Sequence, residues 1–176
     1  MRKQKTRNFA LIITLLLGLS LSSGAQENAN PFEDLTSTLK EMERERPRPE
    51  AEIISRAEKA IGGDAWKQFS ADQQIEVLNY ALEAKMRQTD KDREKVIEYI
   101  DSLIDQHSFS GQLLAGMRIK KTEQALESYN SEDAMQYANA ALDTEGLTAK
   151  QAGVVKILQA RVYERMNQPV KALELA

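Results

Sequence analysis

An all-helical chain of antiparallel helix pairs is what this sequence predicts, on three observations. Beyond Ser70 the apolar residues recur at steps of three and four, and no stretch alternates as a half-buried strand would. Ser70 with Gln73, and Thr148 with Gln151, have the spacing of a capping box, in which each partner satisfies a backbone donor the other leaves open. The tetrad Val96-Ile97-Glu98-Tyr99 lies over Ala134-Met135-Gln136-Tyr137, and again over Ala172-Leu173-Glu174-Leu175, at a constant step of 38 residues. Two helices fit in each step.

The first element is an export signal over residues 1–25. Arg2, Lys3, Lys5 and Arg7 precede an apolar run from Phe9 to Leu17, continued by Leu19 and Leu21. Ser23-Gly24-Ala25 then supplies the small residues that signal peptidase needs, so the expected mature start is Gln26. The run falls short of the ~20 residues of a spanning helix, which favours cleavage over an uncleaved inner-membrane anchor. Without cysteine the chain has neither a lipoprotein anchor nor a disulfide, although thiols oxidise outside the cytoplasm. No Asn-x-Ser/Thr acceptor occurs either. These features suit a bacterial envelope, with the periplasm as the expected address and secretion as the alternative.

Loss of the leader would leave 20 of the 24 basic residues against all 27 acidic ones, a net of −7. That sign disfavours nucleic acid as a partner and an anionic lipid surface equally. No membrane insertion is expected once the signal is removed.

Residues 26–69 read as an N-terminal helical segment. A polar lead-in covers residues 26–30, and Phe32, Leu35, Leu39 and Met42 then mark a short amphipathic helix. Pro47 and Pro49 interrupt it within a charged linker over residues 43–49. A second helix should run from Pro49 to Ile61, where Gly62-Gly63 ends it. Trp66 and Phe69 follow, and are read as a plug for the open end of a helical stack.

Later helices announce themselves by stripes. Ile75, Leu78, Leu82 and Met86 form one. Val96, Ile97, Ile100, Leu103 and Ile104 form a second, and Val155, Leu158 and Val162 a third. Between them the helix over Gly111–Glu127 is weaker, because Gly116 and Lys120-Lys121 break its stripe.

Little in the chain points to catalysis. Nucleophile and metal arrangements fail for want of cysteine and with a single histidine. His107, between Asp105 and Ser108, is read as a helix-end residue, since adjacency in sequence does not build a proton relay. Asp90, Asp92 and Glu94 imitate the start of a calcium loop, but Lys95 stands where its turn needs glycine, so capping by Thr89 or Asp90 is the expectation. Neither phosphate loop nor zinc motif is present. The chain is therefore expected not to be an enzyme and to hold no cofactor or metal.

The repeat register extends beyond the tetrads, because Leu103-Ile104-Asp105 lies over Ala141-Leu142-Asp143, and Ile119 over Ile157. The last repeat resembles the tetratricopeptide repeat family: Ala160, Tyr163, Asn167 and Ala172 match its small residue, tyrosine, turn residue and alanine in spacing. Ala134, Ala138 and Ala141 resemble the small positions of the second helix in the repeat before it. The step exceeds the family's usual length, Val96 replaces an alanine, and the tryptophan and proline positions are unmet, so the chain resembles a divergent member.

The resemblance implies a right-handed helical-hairpin solenoid over residues 70–176, in repeats of about 70–107, 108–146 and an incomplete 147–176. It also implies a concave surface that binds a protein or peptide partner. The family's groove positions fall on Lys85, Gln88, Glu123, Arg161 and Arg165, with Ile119 and Ile157 as apolar contacts. The expected function is that of an exported scaffold or adaptor. The alternative is the helical accessory part of a longer envelope enzyme or complex, and which envelope assembly it would serve is left open. Because the third repeat breaks off at Ala176, the chain is expected either to continue or to pair with another copy through its last helix.

Overall fold

The computed structural model describes residues 30–175, which are all-helical with no strand among them. The expected signal over residues 1–25, its cleavage before Gln26 and most of the polar lead-in lie outside the described residues. Among those described, no helix is long and apolar enough to cross a membrane.

Among the described residues eight α-helices follow in order: α1 (Pro31–Arg44), α2 (Glu50–Ile61), α3 (Ala71–Gln88), α4 (Arg93–His107), α5 (Gly111–Glu127), α6 (Ser131–Leu142), α7 (Ala149–Arg165) and α8 (Pro169–Leu173). A 3-10 turn over Asp64–Gln68 joins α2 to α3. Both expected capping boxes are present, at Ser70 with Gln73 before α3 and at Thr148 with Gln151 before α7. Helix α4 starts from a different cap than expected. Asp90 and Lys91 both take the left-handed conformation in the connecting turn, so the Asp92 carboxylate accepts from the Lys95 N–H and serves as the N-cap. Thr89 instead closes α3, its hydroxyl donating to the Lys85 carbonyl at 2.9 Å.

The charged linker has a local task as well. Arg46 and Arg48 both donate to the Glu43 carbonyl, at 3.0 and 2.9 Å, and so satisfy an acceptor that the end of α1 leaves open. Trp66 is buried in a core shared with Ala57, Val77, Leu78 and Phe109, and Phe69 makes edge contacts with both Trp66 and Phe32 of α1. The helices before them carry enough apolar surface to form a layer of their own. Leu39, Met42, Ile53 and Ile54 pack with Ala84 of α3.

The 38-residue step has a structural counterpart. Helices α4, α6 and α8 start at Arg93, Ser131 and Pro169, while α5 and α7 end at Glu127 and Arg165. Lys91, Tyr129 and Asn167, the left-handed residues of the three intervening turns, keep the same step. In the last two turns the chain closes identically, with the Asn130 N–H donating to the Ala125 carbonyl at 3.0 Å and the Gln168 N–H to the Tyr163 carbonyl at 2.8 Å. The neighbour contacts α3 on α4, α5 on α6 and α7 on α8 are joined by α3 on α5 and α5 on α7.

Helix α5 shows why its own stripe is weak. Leu113 and Met117 enter the core built by α3 and α4, whereas Ile119, Ala125 and Leu126 enter the core of α6 and α7. A helix covered on several sides cannot be strongly two-faced. Its basic residues still find partners: Lys121 pairs with Asp101 at 2.6 Å and lies 4.0 Å from the centre of the Tyr137 ring, and Arg118 donates to the Ala140 carbonyl at 2.8 Å.

Candidate functional site

Spacing between helices produces a cleft. Ala134, Ala138 and Ala141 of α6 are fully buried, and short side chains let α6 lie close on α5. One step earlier the same register holds Val96, Ile100 and Leu103, so α4 stands off further from α3. The space left between α3, α4 and α5 is a cleft of about 360 Å³. That is at the small end of the ~300–1,000 Å³ that ligand pockets span.

Met86 of α3 gives the cleft its accessible apolar surface, over a floor of Leu82, Val96 and Ile100 that are at most 7% exposed, because the helical stripes that build the core continue under it. Arg87, Arg93, Lys120, Glu83, Asn79 and Gln124 supply its polar lining. The cations there are held in place. Arg87 reaches Glu50 at 2.8 Å and Glu43 at 2.9 Å, which ties α3 to α2 and α1. Partial burial works against its charge, but the hydrogen bonds it donates to Glu50 and Glu43 outweigh it and raise its pKa above the ordinary value. Arg93 bonds Gln124 at 2.7 Å and Glu127 at 2.6 Å, and Lys120 bonds Glu123 at 3.0 Å. Asn79 is different, since its side-chain amide has no hydrogen-bond partner among the described residues. It leaves a donor and an acceptor open beside an apolar wall.

Behind α4, the Tyr99 hydroxyl is buried without a hydrogen-bond partner among the described residues. Its pKa is raised, first by burial and second by the neighbouring Glu58 carboxylate. Lys85 lies 5.3 Å from the centre of the same ring.

None of the seven residues nominated by resemblance lines this cleft, and they do not share one environment. Lys85 rests on Tyr99, and Gln88 is exposed near the end of α3. Glu123 meets the rim only through Lys120. Ile119 is 7% exposed and belongs to the core, so it offers no surface to a ligand, whereas Ile157 is 63% exposed. Arg161 is exposed without a partner among the described residues, and Arg165 lies 4.8 Å from the centre of the Tyr129 ring. The residues that do form the cleft were legible only as a core stripe. Val96, Ile100 and Leu103 in the places of three alanines were the available signal that α3 and α4 stand apart.

His107 ends α4 and stacks on Phe109 at 5.7 Å between ring centres. Among the described residues, no group of three or more His, Asp or Glu side chains is placed to hold a metal ion. Comparison with family models, with curated proteins and with solved structures finds no match to this chain.

Proposed function

We propose that this chain is a binding module of the bacterial envelope, a divergent tetratricopeptide-like solenoid that holds a segment of a protein partner in the cleft between α3, α4 and α5. The cleft carries the reading. It combines an apolar wall with the unengaged Asn79 amide, the two things an extended peptide needs to seat one side chain and fix one backbone unit. Its charged rim is prearranged by ion pairs to Glu43, Glu50, Glu123 and Glu127, so binding need not order those long side chains. Export by the leader and residence in the periplasm belong to the same proposal, supported by the basic, apolar and small-residue order of residues 1–25.

Selection of displayed peptides on the purified protein tests it. The expected result is a family of peptides sharing one apolar anchor, with affinity reduced about tenfold or more by Met86→Glu and by Asn79→Ala, a loss of roughly 1.4 kcal/mol or more. Circular dichroism would confirm that both variants stay helical. Peptides that bind the two variants as well as the parent protein would overturn the cleft as the binding site.

A further inference from the structure

Repetition singles out a second face, separate from the cleft. Ala115 and Ile119 of α5 are 0% and 7% exposed, and Met135 of α6 packs against the same core as Ile119. Their counterparts 38 residues on are Gly153, Ile157 and Leu173. Ile157 is 63% exposed, Leu173 is 76% exposed, and a Cβ built on Gly153 would meet nothing within 4 Å. What covers the α5 stripe is a helix. The Gln151 amide of α7 donates to the Gln112 carbonyl at 2.8 Å, and Ile119 shares its core with Val155 and Leu158 of α7. The matching stripe of α7 has no such cover among the described residues.

Charge selects the kind of helix that fits. Lys150 and Arg161 stand seven residues before and four after Ile157, on its own stripe, and Glu164 stands seven after it, because those offsets return to the same side of a helix, so the stripe carries two cations to one carboxylate. Neither has an ion pair or hydrogen bond among the described residues. Arg87, Arg93, Lys120 and Lys121, by contrast, each meet a carboxylate. A second copy presenting the same face would set two cations and one carboxylate against the same set, a net positive face against its equal, which repels.

We propose that the α7–α8 face docks an acidic amphipathic helical segment of a partner, with apolar residues against Ile157 and Leu173 and carboxylates against Lys150 and Arg161. The dock continues the stacking by which α7 covers α5, with carboxylates opposite Lys150 and Arg161. It does not depend on the cleft.

Two synthetic helical-hairpin probes carrying the same leucine stripe, flanked in one by glutamate and in the other by lysine, test this by fluorescence anisotropy with the full chain. The acidic probe should bind at least about tenfold more tightly than the basic one, and less tightly as salt rises, because exposed charges are screened. Ile157→Glu should abolish binding, and Lys150→Glu with Arg161→Glu should reverse the preference. Both sites are exposed, so the variants should keep their helicity, and Met86→Glu should leave probe binding unchanged. Equal binding of both probes, or of neither, would overturn the proposal. So would sedimentation showing that the protein self-associates through this face and that Ile157→Glu makes it monomeric.

Discussion

Helices α4 and α6 hold equivalent places in successive pairs, and their buried residues differ in one respect. Where α4 presents Val96, Ile100 and Leu103, α6 presents Ala134, Ala138 and Ala141, and all six are at most 2% exposed. One seam is filled by bulky side chains and the other by backbone drawn close. The comparison teaches that the register of a repeat and the width of its seams are set separately. Turn geometry and caps hold the 38-residue step in both pairs, while side-chain volume decides whether a pair closes tightly or leaves a cleft.

The sharpest way to break that comparison is to place one bulky residue in both seams. Ala134→Phe should destabilise by about 3 kcal/mol, near the upper end of ordinary overpacking, because α5 and α6 have no room to part without disturbing Ala138 and Ala141. Val96→Phe, at the equivalent place beside the cleft, should cost about 1 kcal/mol, since the ring can turn into existing space. Thermal unfolding followed by circular dichroism separates the two. Equal losses would mean that the seams are equally wide and that the alanines do not set the close approach.

A second contrast lies within the same register, at Tyr99 and Tyr137. Both pKa values are raised chiefly by burial, and Tyr99 is the more deeply enclosed, with Glu58 beside it and its hydroxyl unpartnered. A tyrosine whose folded pKa lies above its unfolded value contributes stability that is complete below about pH 10 and is lost as pH rises from there towards the folded pKa. Denaturant titrations should therefore show stability falling above about pH 10. Tyr99→Phe should remove most of that fall and leave the protein as stable or about 1 kcal/mol more stable at pH 7. Tyr137→Phe should change the alkaline limb less. An unchanged alkaline limb in Tyr99→Phe would place the sensitivity elsewhere.

What was legible in the sequence follows the range of the interaction. The capping boxes at Ser70 and Thr148 were readable because each partner sits three residues from the other. The stripes of α3, α4 and α7 were readable because each of these helices buries one dominant side. Helix α5 was harder, since burial by neighbours on several sides dilutes its period, and Lys121 is accommodated only through Asp101 and Tyr137 on other helices. At the start of α4 several polar residues competed for the cap, and the left-handed Asp90 and Lys91 decided for Asp92. The cleft was least legible. Its width is a distance between α3 and α4, and its rim depends on Arg87 reaching Glu43 and Glu50, which are 44 and 37 residues away. Ile119 illustrates the same limit: its position matches Ile157, but α7 covers one and nothing described covers the other.

The smallest expected effect sharpens the comparison at helix starts. Thr148 and Ser110 are the N-caps of α7 and α5, again 38 residues apart, yet only Thr148 receives a backbone N–H, from Gln151 at 3.1 Å. Ser110 makes no side-chain capping bond, and Gly111 follows it in the left-handed conformation, which turns the chain away from the geometry a capping box needs. Thr148→Ala should therefore cost about 1 kcal/mol, the ordinary value of a lost cap, while Ser110→Ala should change stability by no more than a few tenths. Urea unfolding of the two variants measures the difference directly. Because Gln151 also donates to the Gln112 carbonyl of α5, Thr148→Ala should loosen the contact between successive pairs as well as the helix it starts. Faster amide exchange early in α5 as well as in α7 would show that coupling, and faster exchange confined to α7 would show that the cap serves its own helix alone.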